Sequence, residues 1–325
     1  MARRPGPSPR LEPPALPVVH LARDYPPSYV AAQVRAGAWI RVRHAAYIDA
    51  RPGGERHDRD RQAALARIVA IRDQLTAPYV LSHASAALVW GLPLLATPDR
   101  THVIGVSNPA RSGTDIVRHV HELPAHHQTV HLGHPVTTLG RTVVDCAMTM
   151  GPRAGLVLAD AALRVGVDRG DCARVLAGMQ GRRGAPVARA ILDLADDGAE
   201  SPGESSARFV LLRAGLPVPQ TQVRVDTHLG TFWSDLGWPE WRLLAEYDGR
   251  AKYEARGSAS EAVIQEKRRQ SAVEEADWRM LRITKEDVAQ PATLVRRVKR
   301  AAPDGAVGRL RPRAALMTPP SSSSS

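Results

Sequence analysis

A multi-domain α/β protein, of the α+β kind, is predicted from three observations. The chain has 325 residues, more than one hydrophobic core comfortably serves, so two or three domains are expected. Apolar residues make up 43% of it, enough to fill those cores. Helical and alternating apolar patterns are interspersed between about residues 15 and 303, which predicts helices and strands in the same domains.

The two ends come first because they carry least. MARRPGPSPRLEPP and the Pro, Arg and Ser-rich C-terminus lack apolar periodicity, so residues 1–14 and the tail 304–325 are expected to be disordered. The basic N-terminus runs into Pro rather than an apolar segment, which argues against a signal peptide. The most apolar run, AALVWGLPLL, is broken by Gly91 and Pro93 and is far shorter than the ~20 residues that cross a bilayer. A cytoplasmic protein with no membrane partner is expected.

Residues 15–75 form the first predicted domain. PALPVVHLARD predicts a helix, YPPS a turn with Ser28 as N-cap, and SYVAAQVRAG a second helix that stops at Gly37. AWIRVRHAAYI then alternates, as a hairpin wing would. Helix, turn, helix, wing is the winged helix-turn-helix order, and a small helical subdomain with a hairpin cap is the plainer alternative. In the DNA-binding reading, Arg35, Arg41, Arg43 and His44 stand where such a unit meets phosphates. DRDRQAALARIVAIRDQL closes the domain as a helix.

Residues 76–198 predict a mixed α+β middle domain. SHASAALVWGL reads as a helix capped by Ser82, THVIGVS and DIVRHVHEL as strands, and TLGRTVVDCAMTM, LVLADAALRVG and MQGRRGAPVARAILDLADD as helices. Cys146 and Cys172 lie in apolar helical patterns with no partner at metal-ligand spacing, so both are expected to be core thiols in a reducing compartment. HVHELPAHHQTVHLGH gathers His119, His121, His126, His127, His131 and His134. No carboxylate or Cys completes a tetrahedral shell there, and ordinary surface histidines are expected rather than zinc.

Charge narrows the partner. The formal net charge of +11 and pI near 10.4 favour a polyanion, most often nucleic acid. Aromatics are only 4%, too few for a base-stacking platform, so backbone contact with duplex DNA is the expectation.

Residues 199–303, after the acidic shift at DDGAESPGE, carry the chemistry. ESPGESSARFVLLRAGL predicts a helix entered through Ser201 and Pro202 with Glu204 in its first turn. TQVRVDT, GTFWSDLGW and RLLAEYDG predict three strands. Strand alternation puts Glu246 and Asp248 on one face. A two-residue turn at Pro239 and Glu240 would set Asp235 opposite Leu244 and diagonal to Glu246, whereas a turn one residue longer would spoil that parity. Unpaired carboxylates so placed would cost several kcal/mol each to bury. Mg2+, with Mn2+ as the substitute ion, is the natural counter-charge: it takes oxygen ligands, lowers the pKa of bound water and neutralises a leaving group. Blander accounts stand beside this one. Glu204 also suits a helix's first turn, Asp248 before Gly249 suits a turn, and EKRRQ suits a solvated helix face.

The ordered series ESPGESSAR, LPVPQTQ, SDLGWPE, EYDGRAKY, EKRRQ and DWRMLRIT resembles the restriction-endonuclease-like domain related to very-short-patch-repair endonucleases, of the PD-(D/E)XK superfamily, over about a hundred residues. The N-terminal portion resembles the winged helix of abortive-infection (type IV) antitoxins, and RTVVDCA and LADAAL fit an actinobacterial composite of the two. The resemblance implies a central mixed sheet flanked by helices in the C-terminal domain. It also implies Asp235 and Glu246 as metal ligands, Glu204 as the helix carboxylate completing the site, and Gln222 as a polar neighbour. Asp248 stands where the superfamily pattern has Lys, so the positive group is sought in Lys252 first, then in Lys267 and Arg268.

The expected function is DNA binding with Mg2+-dependent phosphodiester hydrolysis. The rival is a non-catalytic transcriptional regulator or type IV toxin–antitoxin antitoxin with a degenerate nuclease-like domain and, in the latter case, a toxin as protein partner. An RNA-directed toxin–antitoxin component is a third reading, which the scarcity of aromatics disfavours.

Overall fold

The computed structural model describes residues 9–50, 53–105, 115–249 and 259–317, without the side chains of 259–263. It is a mixed α/β protein, with three sheets among the described residues.

The N-terminal sheet has the order β1-β3-β2, from β1 (His20–Leu21), β2 (Trp39–Arg43) and β3 (Ala46–Asp49), all antiparallel. The helix α1 (Pro27–Arg35) precedes the β2–β3 wing. Pro27 at its first position presets the helical φ, and Pro26 occupies the cap position expected for Ser28. The helix expected from PALPVVHLARD does not form. Pro17 and the β-branched Val18 and Val19 oppose it, and pairing of His20 and Leu21 with β3 wins, leaving a single 3-10 turn at Ala22–Asp24. The observed order is therefore strand, helix, wing. His20 stacks on Trp39 with ring centroids 4.3 Å apart, and Tyr25 and Tyr29 pack edge-on against the same indole.

The helix α2 (Arg56–Gln74) is a shared wall. Its Ala70 packs on Leu21 and Ala46 of the first sheet, while Leu65, Ile68 and Ile71 enter the large middle core. That core lies against a five-stranded sheet of order β6-β5-β4-β8-β7. Its strands are β4 (Val80–Leu81), β5 (Thr101–Gly105), β6 (Ile116–Val120), β7 (Gln128–His131) and β8 (His134–Thr137). The helices are α3 (His83–Trp90), α4 (Leu139–Thr149), α5 (Pro152–Arg164), α6 (Arg169–Ala177) and α7 (Ala185–Leu194). The β7–β8 hairpin turns through Leu132 and Gly133, both at positive φ, as a type I′ turn demands. Cys146 and Cys172 are buried free thiols within this core, as expected.

The last sheet has the order β12-β11-β10-β9, from β9 (Gln220–Thr227), β10 (Gly230–Trp238), β11 (Leu243–Tyr247) and β12 (Arg279–Ile283). β9, β10 and β11 are antiparallel neighbours, and α9 (Ala259–Glu275) makes the crossover that lets β12 run parallel to β11. Helices cover both faces. Ala207 and Leu211 of α8 (Pro202–Arg213), with Leu294 and Val298 of α11 (Pro291–Ala301), pack on Leu236, Trp238, Leu243 and Ala245. Val273 of α9 packs with Trp278 on Val223, Val225 and Leu244. Between β12 and α11, the short α10 (Lys285–Ala289) starts in a capping box formed by Thr284 and Asp287.

α8 is a second shared wall. Its Phe209 and Leu212 belong to the middle core, and the fully buried pair Arg208–Asp160, 2.6 Å apart, ties α8 to α5. The ends are more ordered than their composition suggests up to the limits of description. Leu11 packs against the middle core, and Leu316, on a 3-10 turn at Ala314–Met317, is buried in it. Single well-placed leucines suffice to anchor segments that have no periodicity. Among the described residues no helix is long and apolar enough to cross a membrane.

Candidate functional site

Glu204 is set by the local chemistry of the α8 entry. Ser201 caps the helix, its Oγ accepting the Glu204 N–H at 3.2 Å. In return the Glu204 carboxylate accepts the Ser201 hydroxyl at 2.8 Å and the Glu200 N–H at 2.7 Å. This reciprocity is the logic of a capping box, so the bland account of Glu204 holds as far as it goes. Two facts exceed it. Gly203 lets the first turn of α8 lie against β11, because a Cβ there would stand 2.1 Å from Tyr247 Cε1. The carboxylate thereby comes to the end of the strands at only 5% exposure. Burial, and then the charge of Asp235, push its pKa up to about 7.

Asp235 arrives from β10. The connection to β11 is a 3-10 turn, Pro239–Trp241, closed by Arg242 in the left-handed region, φ 50°. It is two residues longer than expected. Register therefore pairs Leu236 with Ala245 and Trp238 with Leu243. One step beyond the Leu236–Ala245 pair, Asp235 stands level with Glu246 rather than with Leu244, so the parity survives. Its Oδ2 accepts the Tyr247 N–H at 2.8 Å. On the other side, Gln222 falls level with Asp235 between the pairs Thr221–Leu236 and Val223–Ser234. Gln222 is buried and held at φ 49°, a strained conformation for a residue with a Cβ and of the kind that clusters at functional sites.

Glu246 is ion-paired with Arg269 of α9. Arg269 was the residue missed in EKRRQ, and helical spacing could have found it: it lies four residues before the buried Val273, on the face turned to the sheet. Lys267 and Arg268, expected to supply the positive group, are exposed instead. Glu266 pairs with Arg282, which sits beside Glu246 in the parallel register, and reaches Arg269 at 3.9 Å. Burial lowers the pKa of Arg269 while Asp235 opposes that shift, so the guanidinium sits within the field of both carboxylates. Glu240 is exposed in the turn and takes no part. Asp248 follows β11, its N–H donated to Ile283 O at 2.8 Å. Lys252 lies outside the described residues.

The structure thus gathers Glu204, Asp235 and Glu246 from three elements at one end of the sheet. The oxygen-only donor set suits a hard cation such as Mg2+. The three carboxylates do not, however, reach chelating proximity: among the described residues only His83, His102 and His119 have ligand atoms all within 4.8 Å of one another.

That cluster departs from the expectation of surface histidines. His102 Nδ1 and His119 Nε2 are 3.1 Å apart, and His83 stacks on His119 at 3.7 Å. Burial, the largest cause in each, lowers the pKa of His102 and His119 to about 4 and that of His83 well below its usual value, so all three are neutral at pH 7. His121 is bonded to Arg141, which pairs with the buried Asp145. His131 stacks on Trp90, and His134 is buried. His126 is the exposed one of the series.

In the N-terminal unit, Arg35 and Arg41 are exposed as expected. Arg43 is not presented to a ligand: its side chain is 8% exposed and pairs with Asp115 at 2.9 Å. The strand-helix-wing sheet turns it inward toward the middle domain.

No family model matches the chain. It is similar to two uncharacterized proteins of Mycobacterium tuberculosis, MT2308 (strain CDC 1551 / Oshkosh) and Rv2248 (strain ATCC 25618 / H37Rv), with 34% identity over 171 residues to each. The match covers 52% of this chain and 62% of each relative, so the chain spans less than two thirds of their length. Among solved structures, the crystal structure of the RV2827C protein from Mycobacterium tuberculosis aligns with 19% identity and a TM-score of 0.36, over 59% of this chain and 75% of that one. A likeness of that size carries no argument.

Proposed function

We propose that the protein binds duplex DNA and hydrolyses its phosphodiester bonds with Mg2+ at the carboxylate site of a restriction-endonuclease-like C-terminal domain. The observation that carries this reading is the placement of Glu204, buried and within the field of Asp235, beside a strand pair in which Asp235 stands level with Glu246. Arg269 meets Glu246, yet the Glu204 carboxyl, buried beside Asp235, still titrates near 7. Burial is the first cause of that rise and the charge of Asp235 the second, the mutual perturbation that carboxylates sharing one site impose on each other. Asp235 and Glu246 would hold the ion, with Glu204 completing the set and Gln222 beside it. Bound there, Mg2+ supplies a water of lowered pKa and neutralises charge on the departing oxygen. Arg269 would serve as the counter-charge of the metal-free state. Lys252, Lys267 and Arg268, with Arg35 and Arg41 of the wing unit, would meet phosphates, which the excess of basic residues favours.

A second reading is favoured by the same ion pair. If Arg269 satisfies the carboxylates permanently, the domain is a binding module, and the protein is a non-catalytic regulator or an antitoxin-type DNA-binding protein. Asp248 in place of the superfamily Lys points the same way. Incubation of the purified chain with plasmid in Mg2+, Mn2+ or EDTA, beside Asp235→Ala, separates the two. Metal-dependent nicking lost in the variant supports hydrolysis, and DNA binding without cleavage supports the binding module.

A further inference from the structure

We propose that His83, His102 and His119 form a site for a transition-metal ion of the Zn2+ class in the middle domain, separate from the carboxylates. Their ligand nitrogens come from three elements: the first residue of α3, the strand β5 and its parallel neighbour β6. His102 and His119 stand on the same sheet face, since Val117 pairs with His102 and Ile104 with His119. Their nitrogens are 3.1 Å apart. In a tetrahedral shell with bonds of about 2.0–2.1 Å, ligand nitrogens are separated by about 3.3–3.4 Å. Between these two an ion asks for a shift of a few tenths of an ångström and a change of tautomer, while His83, whose ligand atom lies within 4.8 Å of theirs and whose ring stacks on His119, must tilt to aim at it.

His83 shows that the arrangement is imposed rather than casual. It is buried and sits at φ 50°, in the left-handed region that residues with a Cβ visit uncommonly. Its Nδ1 is bonded to Ser82 Oγ at 2.9 Å, the kind of outer contact that fixes ring orientation in ligating histidines. Three neutral nitrogen donors select a borderline ion over Mg2+ or Ca2+. The positive end of α3 opposes a cation only weakly beside three coordinate bonds. His121 does not join, because its Nε2 faces Arg141 Nη2 at 3.0 Å. Among the described residues the shell has three protein ligands, so a tetrahedral ion there needs one further donor, such as water or a small ligand.

The test uses the full chain, stripped with a chelator and titrated with Zn2+ against a chromophoric competitor and with Co2+ by visible absorption. One equivalent should bind per chain, with the intense Co2+ bands of low coordination number and a higher melting temperature. Outer-contact losses alone cost metal sites about 10–100-fold, so His102→Gln and His119→Gln should each weaken binding by more than about 100-fold. Circular dichroism establishes that these variants are folded, and His126→Gln, at an exposed position, should bind as the parent does. Asp235→Ala should keep the full equivalent. The proposal is overturned if the folded parent takes up neither ion, if His119→Gln binds unchanged, or if Asp235→Ala abolishes uptake.

Discussion

Arg269 on α9 is ion-paired with Glu246 on β11, and its guanidinium also lies over the Phe232 ring, 5.7 Å from the centroid. The Arg269 cation thus stands where the carboxylates gather, with Arg282 level with Glu246 on the neighbouring strand. Replacing it with Gln leaves Glu246, 15% exposed, without its partner. Loss of one member of a well-buried pair costs about 3–5 kcal/mol, and partial exposure reduces that to about 2–3 kcal/mol. Melting of Arg269→Gln in EDTA should show that loss, and Mg2+ should recover more of it than it adds to the parent protein. An equal response of both proteins to Mg2+ would separate Arg269 from the metal site.

Glu204 sets a pH dependence. Its folded-state pKa is about 7 against an ordinary 4.5, so the folded chain holds this proton more tightly than the unfolded chain. The contribution is fully present below about pH 4.5 and is lost as pH rises through 7. Glu204→Gln cannot ionise. Urea midpoints in EDTA should show the parent losing on the order of 2 kcal/mol relative to the variant between pH 5 and pH 8. Parallel profiles would remove the buried, charge-crowded carboxyl from the account.

Arg208 and Asp160 make the opposite case, a buried pair that is matched. Asp160 also accepts the Asp196 N–H at 2.8 Å, and Arg208 donates to Leu194 O at 2.8 Å. Arg208→Met should cost about 3–5 kcal/mol, because it leaves a buried carboxylate alone, and Asp160→Asn in the same chain should return much of it. Denaturant unfolding of the single and double variants checks this.

DNA affinity should depend on Arg35 and Arg41 and not directly on Arg43. Each exposed arginine that contacts a phosphate should lower the salt slope of binding by about 1 when replaced with Ala. Arg43→Ala should act through stability, since it breaks the contact with Asp115. Fluorescence anisotropy on a labelled duplex at several salt concentrations separates the two effects.

Much of this architecture was legible in the residues. Period and turn chemistry located α1, the wing, α2, the middle helices α3, α4, α5 and α7, and the strands β9 to β11, because those segments carry their own patterns. The failures are tertiary. PALPVVHLARD has helical spacing, but pairing with β3 decided its fate. The four-residue connection after Trp238 could not be told from a two-residue turn, and parity was preserved only because the difference was even. QTVHLGHPVT did alternate about a Gly-containing turn and could have been read as the β7–β8 hairpin. His83 lies in a helix-start motif and His119 on a strand 36 positions later; no spacing rule links them, and the fold alone brings them together. Arg269 was hidden among charges whose usual fate is solvation.

Plasmid cleavage tests the central claim most directly. Purified protein in Mg2+ should nick or linearise plasmid, EDTA should stop it, and Asp235→Ala should lose cleavage while its DNA affinity stays equal or rises. Cleavage that persists undiminished in Asp235→Ala, or an intact plasmid after incubation of a folded, DNA-bound parent protein with Mg2+ and Mn2+, would contradict it.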